Sequence, residues 1–311
     1  MNIAIDPSAL TECGGLPLAG IELGGTKCVC TLAHGPDRIL AQETVPTEHP
    51  DVTLPAIAAV LQRWWDTTGF AALGIASFGP VDLDTGSATW GHILATTKPD
   101  WPMTDVAGRL SALFDVAVAF DTDVNGAAFA ERLWGCARGL DDFAYVTIGT
   151  GVGVGLLVNG QPTRGIGHAE IGHLRTPRLP GDTLPSGCPF HDDCVEGLAS
   201  GSGIKAALGD VHVSTLAADH PVWDRAAASI VAMCHAMVCA TGPKRIAIGG
   251  GVMNKQPHLL ARIEPALRAS INGYLPLPER DYVVAPALGD QAGPMGSIAL
   301  AKVALAERVA A

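Results

Sequence analysis

Residues Leu18–Gly35 read LAGIELGGTKCVCTLAHG, and this stretch predicts the first structural element of the chain. Small and β-branched residues alternate on both sides of Gly24-Gly25-Thr26-Lys27, which indicates two strands joined by a tight turn. A glycine turn leaves backbone N–H groups exposed, and the Thr26 hydroxyl adds a donor, so this turn can accept phosphate oxygens. A plain glycine turn without a ligand is the alternative. The spacing does not match a Walker A loop.

A second stretch repeats this pattern about 125 residues later. Residues Phe143–Gly160 read FAYVTIGTGVGVGLLVNG, in which a strand over Phe143–Ile148 meets the turn Gly149-Thr150-Gly151 before the chain returns. The glycine spacing is not G-x-G-x-x-G, and a hairpin is not a βαβ unit, so a dinucleotide site is disfavoured. Two similar hairpins, one at the start of each half, predict a duplicated α/β domain with a cleft between the copies.

The remaining periodicity places further strands and helices. An apolar strand over residues 73–77 ends at Phe78-Gly79-Pro80-Val81-Asp82, and another over residues 116–120 ends at Asp121-Thr122-Asp123. Loops at strand ends are common positions for ligand contacts in α/β folds. A strand over residues 245–248 leads into a third glycine cluster, Gly249-Gly250-Gly251, which suits a neighbouring adenosine or phosphate. Helices are predicted over residues 52–67, 104–114, 126–134, 222–241 and 294–309.

These elements predict two lobes. The N-terminal lobe covers residues 1–123, begins with an irregular extension over residues 1–17, and receives the C-terminal helix 294–309. The C-terminal lobe covers residues 124–293 and contains a loop over residues 173–194 that is rich in proline and glycine. A chain of 311 residues is long enough for two domains with substantial cores.

The 173–194 loop carries a set of metal-ligand residues. His173, Cys188, His191 and Cys194 supply two imidazoles and two thiolates, with Cys-x2-His-x2-Cys at the end of the loop. Four such ligands form a closed tetrahedral zinc site and leave no open position for water, so we predict a structural zinc ion. The alternative is two reduced cysteines and unrelated surface histidines. The loop has little apolar periodicity, so the metal is expected to be what fixes it.

Carboxylates in two places are candidates for chemistry. Glu170 and Glu196 lie beside predicted metal ligands, and a metal clamp could aim both into a shared pocket. Asp121 and Asp123 lie where a strand gives way to a helix, at an open strand end. Either aspartate could instead cap that helix, because Asp accepts hydrogen bonds from N–H groups of the first turn.

Composition excludes several classes of function. The net charge of -11 argues against a nucleic-acid-binding surface, which needs a basic face. No apolar run reaches the length of a membrane span, and no basic segment followed by an apolar region marks a secretion signal. Eight cysteines without a small-scaffold layout indicate reduced thiols and metal ligands, so we predict a cytoplasmic protein.

Six segments, taken together, resemble the ROK sugar kinases of the actin-like ATPase superfamily, whose fold is two-lobed and ribonuclease H-like. They are GIELGGTK, FGPVD, DTDVNGAA, TIGTGVGVGLLVNG, GHAEIGH with CPFHDDCVEG, and IGGGV, and they occur in the family's order from about Leu18 to the C-terminus. The Cys-Pro-Phe-His-x-x-Cys form of the metal loop, with TWGHI and TTKPDW, is most similar to the zinc-containing bacterial fructokinase branch. Other members usually carry a Cys-x-Cys-Gly pattern in the metal loop.

The resemblance implies an ATP-dependent kinase that phosphorylates a hexose hydroxyl, with Asp123 as the general base. It implies Mg²⁺ with ATP, held by Glu22 through water, and a homodimer. By motif, the hexose-binding residues would be Gly79, Thr122, Asp123, Glu170, His173 and Glu196. The residues around the phosphates and nucleotide would be Gly24, Gly25, Thr26, Lys27, Gly149, Thr150, Gly151, Gly250 and Gly251.

Two departures from the family bear on the choice of sugar. Thr122 stands where the family usually has Asn, and Thr97 stands where the fructokinases have Pro. D-fructose, phosphorylated at the 6-hydroxyl, is the expected substrate, with mannose slower. A glucokinase, an N-acetylhexosamine or mannose kinase, and a non-catalytic sugar-sensing protein are the alternatives. The family's repressors begin with a DNA-binding module, for which the residues before the first glycine turn are too few.

Overall fold

The structure is a computed structural model that describes residues 15–310, so most of the predicted extension over residues 1–17 lies outside the described residues. Contacts divide the described chain into two units. Unit 1 consists of residues 15–139, 162–168 and 290–310, and unit 2 consists of Leu140–Gln161 and Ala169–Gly289.

The strands are β1 (Leu18–Leu23), β2 (Lys27–Gly35), β3 (Arg38–Pro46), β4 (Ala72–Ser77), β5 (Ala117–Thr122), β6 (Phe143–Ile148), β7 (Val152–Val158), β8 (Gln161–Pro162), β9 (Ile246–Gly249) and β10 (Val283–Val284). The α-helices are α1 (Pro50–Thr67), α2 (Ala107–Ser111), α3 (Asp123–Trp134), α4 (Val195–Ala199), α5 (Gly201–Leu208), α6 (Val222–Thr241), α7 (Gly251–Lys255), α8 (His258–Ile271) and α9 (Ala292–Ala310).

The two sheets share one topology. The first has the order β3-β2-β1-β4-β5, and the second has the order β8-β7-β6-β9-β10. In each sheet an antiparallel hairpin, β1–β2 or β6–β7, is followed by two strands parallel to the first strand of the hairpin. The second half of the chain therefore repeats the strand arrangement of the first, as the two glycine hairpins predicted.

The sheet of unit 1 gathers two loops and the start of a helix at one end. Leu23 of β1 pairs with Ser77 of β4, and Ser77 pairs with Thr122 of β5. Because these strands are parallel, their carboxyl ends lie side by side. The loops that begin at Gly24 and Phe78 and the helix that begins at Asp123 consequently start from neighbouring positions at this end of the sheet.

Helix α9 packs on unit 1 through close backbone approaches. It contacts β1, β4, β5 and α3. A Cβ on Gly74 of β4 would lie 1.9 Å from the Ser297 carbonyl oxygen, and a Cβ on Gly296 would lie 2.6 Å from the Gly126 carbonyl carbon. Only glycine at these positions lets the helix approach both the sheet and α3 so closely.

The first unit extends beyond the boundary predicted at residue 123. Helix α3 packs against α9, β4 and β5, so residues up to Gly139 belong to unit 1. Residues 162–168 also belong to unit 1, although the segments on both sides of them belong to unit 2. The sequence gives no sign of this exchange, because the boundary follows contacts made far along the chain.

Two predicted helices differ most from their predicted bounds, whereas α1 and α9 begin only two residues earlier than predicted. The prediction over residues 104–114 shrinks to α2, because the N–H groups of Val106 and Ala107 both donate to the Gly91 carbonyl oxygen instead of extending a helix. The prediction over residues 126–134 becomes α3, which begins three residues earlier at Asp123.

The core of unit 2 is built around α6. This helix is long and apolar enough to cross a membrane by length and composition. Most of it is nevertheless buried within unit 2, where Trp223, Ile230 and Met233 join the apolar core and α4 and α8 pack beside it. An apolar helix buried in this way has the pattern of a core helix.

Candidate active site

Two carboxylates of unit 1 lie close together at the carboxyl ends of β1 and β5. Burial raises the pKa of Asp123 to about 6. Burial also raises the pKa of Glu22 to about 7, and the negative charge of Asp123 adds to that rise. The Glu22 carboxylate packs against the start of α9, since a Cβ on Gly293 would lie 1.9 Å from its Oε1 atom. Such a carboxylate pair can accept a proton or bind a cation.

Asp123 does not cap α3, and neither does Asp121. The N-cap is Thr122, whose Oγ1 accepts from the Asn125 N–H at 3.1 Å, while Asp123 occupies the first helical position. Among residues 15–310, Asp123 accepts hydrogen bonds from N–H groups beside it in the chain, including that of Val124 at 2.9 Å. The Thr122 side chain is buried, with 3% of its residue surface exposed, and its hydroxyl oxygen serves the helix.

Asp121 forms a buried network directly before the candidate base. Its Oδ1 accepts from the Thr122 N–H at 2.7 Å and from the Asn125 side-chain amide at 2.8 Å. Its Oδ2 forms an ion pair with Arg164. No sequence motif marks Arg164, because its partner Asp121 lies 43 residues earlier in the chain. These bonds fix the backbone of residues 121–125, which includes Asp123.

The Gly24–Lys27 turn is held through its carbonyl oxygens. Thr47 Oγ1 donates to the Gly24 oxygen at 2.7 Å, and the Thr47 N–H donates to the Thr26 oxygen at 3.0 Å. Lys98 Nζ donates to the Gly25 oxygen at 2.6 Å. The N–H groups of Gly25 and Thr26 donate to no acceptor within residues 15–310. Free consecutive N–H groups on an exposed turn are what an anion site requires.

Gly79 lies in the loop after β4 and is adjacent to His168, which was not among the predicted site residues. His168 Nε2 accepts from the Val81 N–H at 3.1 Å. A Cβ on Gly79 would lie 3.1 Å from His168 Cε1, so the ring covers this glycine. His168 and Arg164 form an isolated antiparallel bridge in the same short segment. That segment therefore supports both the Gly79 loop and the Asp121 network.

The four predicted metal ligands come together in unit 2. The ligand atoms of His173, Cys188, His191 and Cys194 all lie within 4.8 Å of one another. His173 Nδ1 lies 3.6 Å from Cys188 Sγ and 3.9 Å from Cys194 Sγ. A tetrahedral zinc site with ordinary Zn–S and Zn–N bonds has an S–N edge of about 3.6 Å. The donor set and its spacing thus fit a four-coordinate metal ion.

Glu196 links this cluster to the glycine turn of unit 2. Its Oε1 lies 4.0 Å from His173 Nε2, on the side of the ring opposite the thiol-facing Nδ1. Its Oε2 accepts from the Val152 N–H at 3.0 Å, next to Gly151. One oxygen of the Glu196 carboxylate therefore faces His173, a predicted metal ligand, and the other faces the turn that is predicted to bind phosphate. The backbone carbonyl oxygen of Glu170 accepts from the His173 N–H at 3.0 Å.

The sequence had suggested that metal ligation alone would fix the 173–194 loop. In the structure, ion pairs and hydrogen bonds also hold this loop. Arg225 of α6, only 4% exposed, pairs with Asp182 at 3.1 Å and donates to the Pro185 carbonyl oxygen at 2.8 Å. Arg178 donates to the Leu184 carbonyl oxygen at 2.8 Å. Arg175 and Asp193 form a two-point ion pair. These contacts were invisible in the sequence, because arginine has no characteristic spacing to backbone carbonyl oxygens.

A pocket of about 390 Å³ in unit 2 lies beside the glycine turn. Its lining residues are Gly149, Thr150, Gly201, Ser202, Lys205, Val213, Gly251, Val252 and Lys255. The structure thus brings Gly149 and Thr150 together with Gly251, as predicted. Gly151 and Gly250 lie next to lining residues. The N–H groups of Gly201 and Ser202, at the start of α5, donate to the carbonyl oxygens of Gly149 and Thr150, an arrangement that the sequence did not reveal.

The chain is similar to known proteins over most of its length. The ROK family profile matches residues 18–304, so the chain belongs to the ROK family. A fructokinase from Zymomonas mobilis subsp. mobilis is 41% identical over 295 residues, covering 91% of this chain and 96% of the relative. A fructokinase from Pediococcus pentosaceus is 37% identical over 289 residues, covering 93% and 98%.

A solved structure shows a similar fold. The ROK family glucokinase from Streptomyces griseus, in complex with glucose and AMPPNP, aligns with a TM-score of 0.72 at 25% sequence identity. The alignment covers 92% of this chain and 99% of that one. The predicted family and the actin-like fold class are both confirmed.

Proposed function

We propose that this protein is an ATP-dependent hexose kinase that transfers the γ-phosphate to the 6-hydroxyl of D-fructose. Membership of the ROK family and 37–41% identity to two fructokinases over most of the chain support this reaction. The observation that carries it is Asp123. It is a half-buried carboxylate with a pKa of about 6, and Thr122 caps the helix in its place. It follows the strand β5, at the same end of the sheet as Glu22 and the Gly24–Lys27 turn.

Asp123 acts as the general base in this proposal. It accepts the proton of the sugar hydroxyl as the hydroxyl oxygen forms a bond to the γ-phosphorus and the bond between that phosphorus and the bridging oxygen breaks. ADP leaves with the electron pair of the broken bond. General-base assistance contributes on the order of 10²–10⁴ to such a rate. The Asp121–Arg164 network and the Thr122 cap fix the position of the carboxylate.

The turn of unit 1 and Glu22 serve the transferred phosphate. The free N–H groups of Gly25 and Thr26 bind phosphate oxygens, and the Lys27 ammonium adds positive charge. When bound with ATP, Mg²⁺ neutralises charge on the phosphates. Glu22 would hold it through water, because a half-buried carboxylate beside Asp123 gains from a cation that offsets their mutual repulsion.

In unit 2 we assign the nucleotide to the 390 Å³ pocket and a structural zinc ion to the two Cys and two His ligands. Gly149, Thr150 and Gly151 would contact phosphate, and Gly250 and Gly251 would border the nucleotide. Glu170, His173 and Glu196 are the proposed hexose contacts of this unit, with Gly79 and Asp123 in unit 1. His173 can serve both metal and sugar, because its two ring nitrogens face different neighbours.

A coupled ADP-release assay with fructose, mannose, glucose and N-acetylmannosamine tests the proposal. We expect the largest kcat/KM for fructose, with mannose slower and fructose 6-phosphate as the product identified by NMR. A preference for glucose or for the N-acetylated sugar would replace fructose and leave a hexose kinase. Sugar binding without ADP release from any of the four would establish a sugar-sensing protein instead. Light scattering coupled to gel filtration tests the proposed homodimer.

A further inference from the structure

Lys98 contacts the Gly24–Lys27 turn, and the sequence did not predict this contact. It belongs to the loop over Thr96–Trp101, 73 residues after the turn that it touches. Its ammonium donates to the Gly25 carbonyl oxygen at 2.6 Å and to the Thr47 carbonyl oxygen at 3.4 Å. An ammonium group has three N–H donors, so these two bonds leave a third.

The two carbonyl contacts of the turn determine where its N–H groups point. In a trans peptide the C=O and the N–H point in opposite directions. Thr47 holds the Gly24 oxygen and so directs the Gly25 N–H away from Thr47. Lys98 holds the Gly25 oxygen and so directs the Thr26 N–H away from Lys98. Both donors therefore point away from the side on which Thr47 and Lys98 hold the carbonyl oxygens. Gly25 and Thr26 are both exposed, and a Cβ on Gly25 would meet nothing within 4 Å.

Charge makes Lys98 different from Thr47 in this arrangement. A cation that donates to the Gly25 carbonyl oxygen polarises the Gly25–Thr26 peptide and strengthens the Thr26 N–H as a donor. The same cation lies one peptide away from any anion bound to that N–H. Phosphoryl transfer depends on positioning and on neutralising the charge of the phosphate oxygens, and Lys98 supplies both.

We propose that Lys98 is a positioning residue for phosphoryl transfer, which holds the Gly24–Lys27 turn in its phosphate-binding conformation. This inference rests on the proposed function, since it takes the turn as the phosphate site. It assigns to the TTKPDW segment a role in binding the nucleotide phosphates, a role that the resemblance did not give to this segment.

The test compares Lys98→Arg, Lys98→Gln and Lys98→Met with the unaltered enzyme. Arg keeps the charge and donors, Gln keeps only a donor, and Met keeps neither. We expect kcat/KM for ATP to fall about 10- to 100-fold in K98M, the loss typical of one charged hydrogen bond. K98R should retain most of the activity, K98Q should fall between, and KM for fructose should stay within twofold. Lys244→Met is the control, because Lys244 pairs with Asp142 within unit 2 at 3.4 Å.

Two results would overturn the proposal: ATP kinetics of K98M within twofold of the unaltered enzyme, or K98R no better than K98M. If K98M does not fold, the comparison of K98R with K98Q carries the test. Calorimetric titration with MgATP alone separates this inference from the proposed function. If the unaltered protein binds MgATP but phosphorylates none of the sugars, the kinase proposal fails. Lys98 is then judged by whether K98M loses MgATP affinity by the expected factor.

Discussion

Asp123 occupies a position where an aspartate would ordinarily serve the helix that follows it. Here Thr122 caps the helix, and within the part of the chain that the structure describes Asp123 accepts hydrogen bonds from N–H groups beside it in the chain. A half-buried carboxylate held in this way contributes little to the structure, yet partial burial raises its pKa and so lowers the stability of the folded protein at neutral pH. Retaining such a group is understandable if its proton affinity is used in the reaction.

Asp123→Asn tests this view at the residue scale. We expect turnover to fall at least 100-fold, because an amide cannot accept the hydroxyl proton, while the melting temperature stays the same or rises. The melting temperature is informative because Thr122 keeps the cap and Asn removes a charge that burial disfavours. Thr122→Ala is the matched variant: it should cost about 1 kcal/mol of stability through loss of the cap. Near-normal turnover of D123N would reject the catalytic role.

The pH dependence of the reaction follows from the two raised pKa values. Asp123, with its pKa about 6, and Glu22, with its pKa about 7, must be unprotonated to accept a proton and to bind a cation. We therefore expect kcat/KM to rise with pH through the range 6–7, whereas exposed carboxylates would place this limb near about 4. A pH–rate profile with fructose measures it. A flat profile between pH 5 and 8 would contradict the assignment.

The same two groups affect stability with the opposite trend. The pKa of each group is higher in the folded protein than in the unfolded chain. At a pH between the unfolded and the folded pKa of a group, the folded state therefore binds more protons. Their contribution to the free energy of unfolding is complete below the unfolded pKa and is lost as pH rises through about 6–7. Activity and stability thus change in opposite directions over this window.

At the scale of single elements, residues 164–168 support both the Gly79 loop and the Asp121 network. Arg164→Met should lower kcat about tenfold or more and lower stability by about 1–3 kcal/mol, because it leaves the buried Asp121 carboxylate unpaired. Combining it with Asp121→Asn should recover stability, since Asn keeps an acceptor for the Thr122 and Asn125 donors. Thermal melts and steady-state kinetics measure both effects. Arg63→Met, which breaks an exposed pair with Glu43, is the control and should change little.

The metal loop gives a second prediction at this scale. The purified protein should contain about one zinc ion per chain, and Cys188→Ser should lose most of it and raise KM for the sugar. Because Arg178 and Arg225 also hold the loop, we expect the variant to stay folded with a modest loss of melting temperature. Elemental analysis and kinetics measure these changes. Cys239→Ser, on the exposed end of α6, should keep its zinc, and an unaltered protein free of zinc would refute the assignment.

At the scale of the whole molecule, the last helix completes the first unit. Helix α9 supplies buried contacts to β1, β4, β5 and α3, so unit 1 is not complete until the chain has reached its end. Gly74→Ala would place a Cβ 1.9 Å from the Ser297 oxygen and 2.5 Å from the Ala301 nitrogen, both backbone atoms that cannot move aside. We expect a loss of about 3 kcal/mol or more, seen by denaturant unfolding. Gly15→Ala, with nothing within 4 Å, is the control. Equal stability of the two variants would show that α9 can shift.

The sequence by itself determined those features that adjacent residues define. The hairpins at Gly24 and Gly149 follow from glycine and strand periodicity within a few residues. The placement of Asp123 at a strand end follows from an apolar strand and a helix that touch in the chain. Three of the four metal ligands, Cys188, His191 and Cys194, lie within one short segment, so their spacing alone indicated a common ion.

Tertiary structure alone decided which distant residues support these features. Lys98 reaches the Gly25 oxygen across 73 residues, Arg164 reaches Asp121 across 43, and Glu196 reaches the Val152 N–H across 44. Each contact joins a side chain to a partner whose position depends on how the strands pair and the helices pack. Backbone carbonyl and N–H groups are the same in every residue, so no pattern of letters marks which of them a distant lysine, arginine or glutamate will meet.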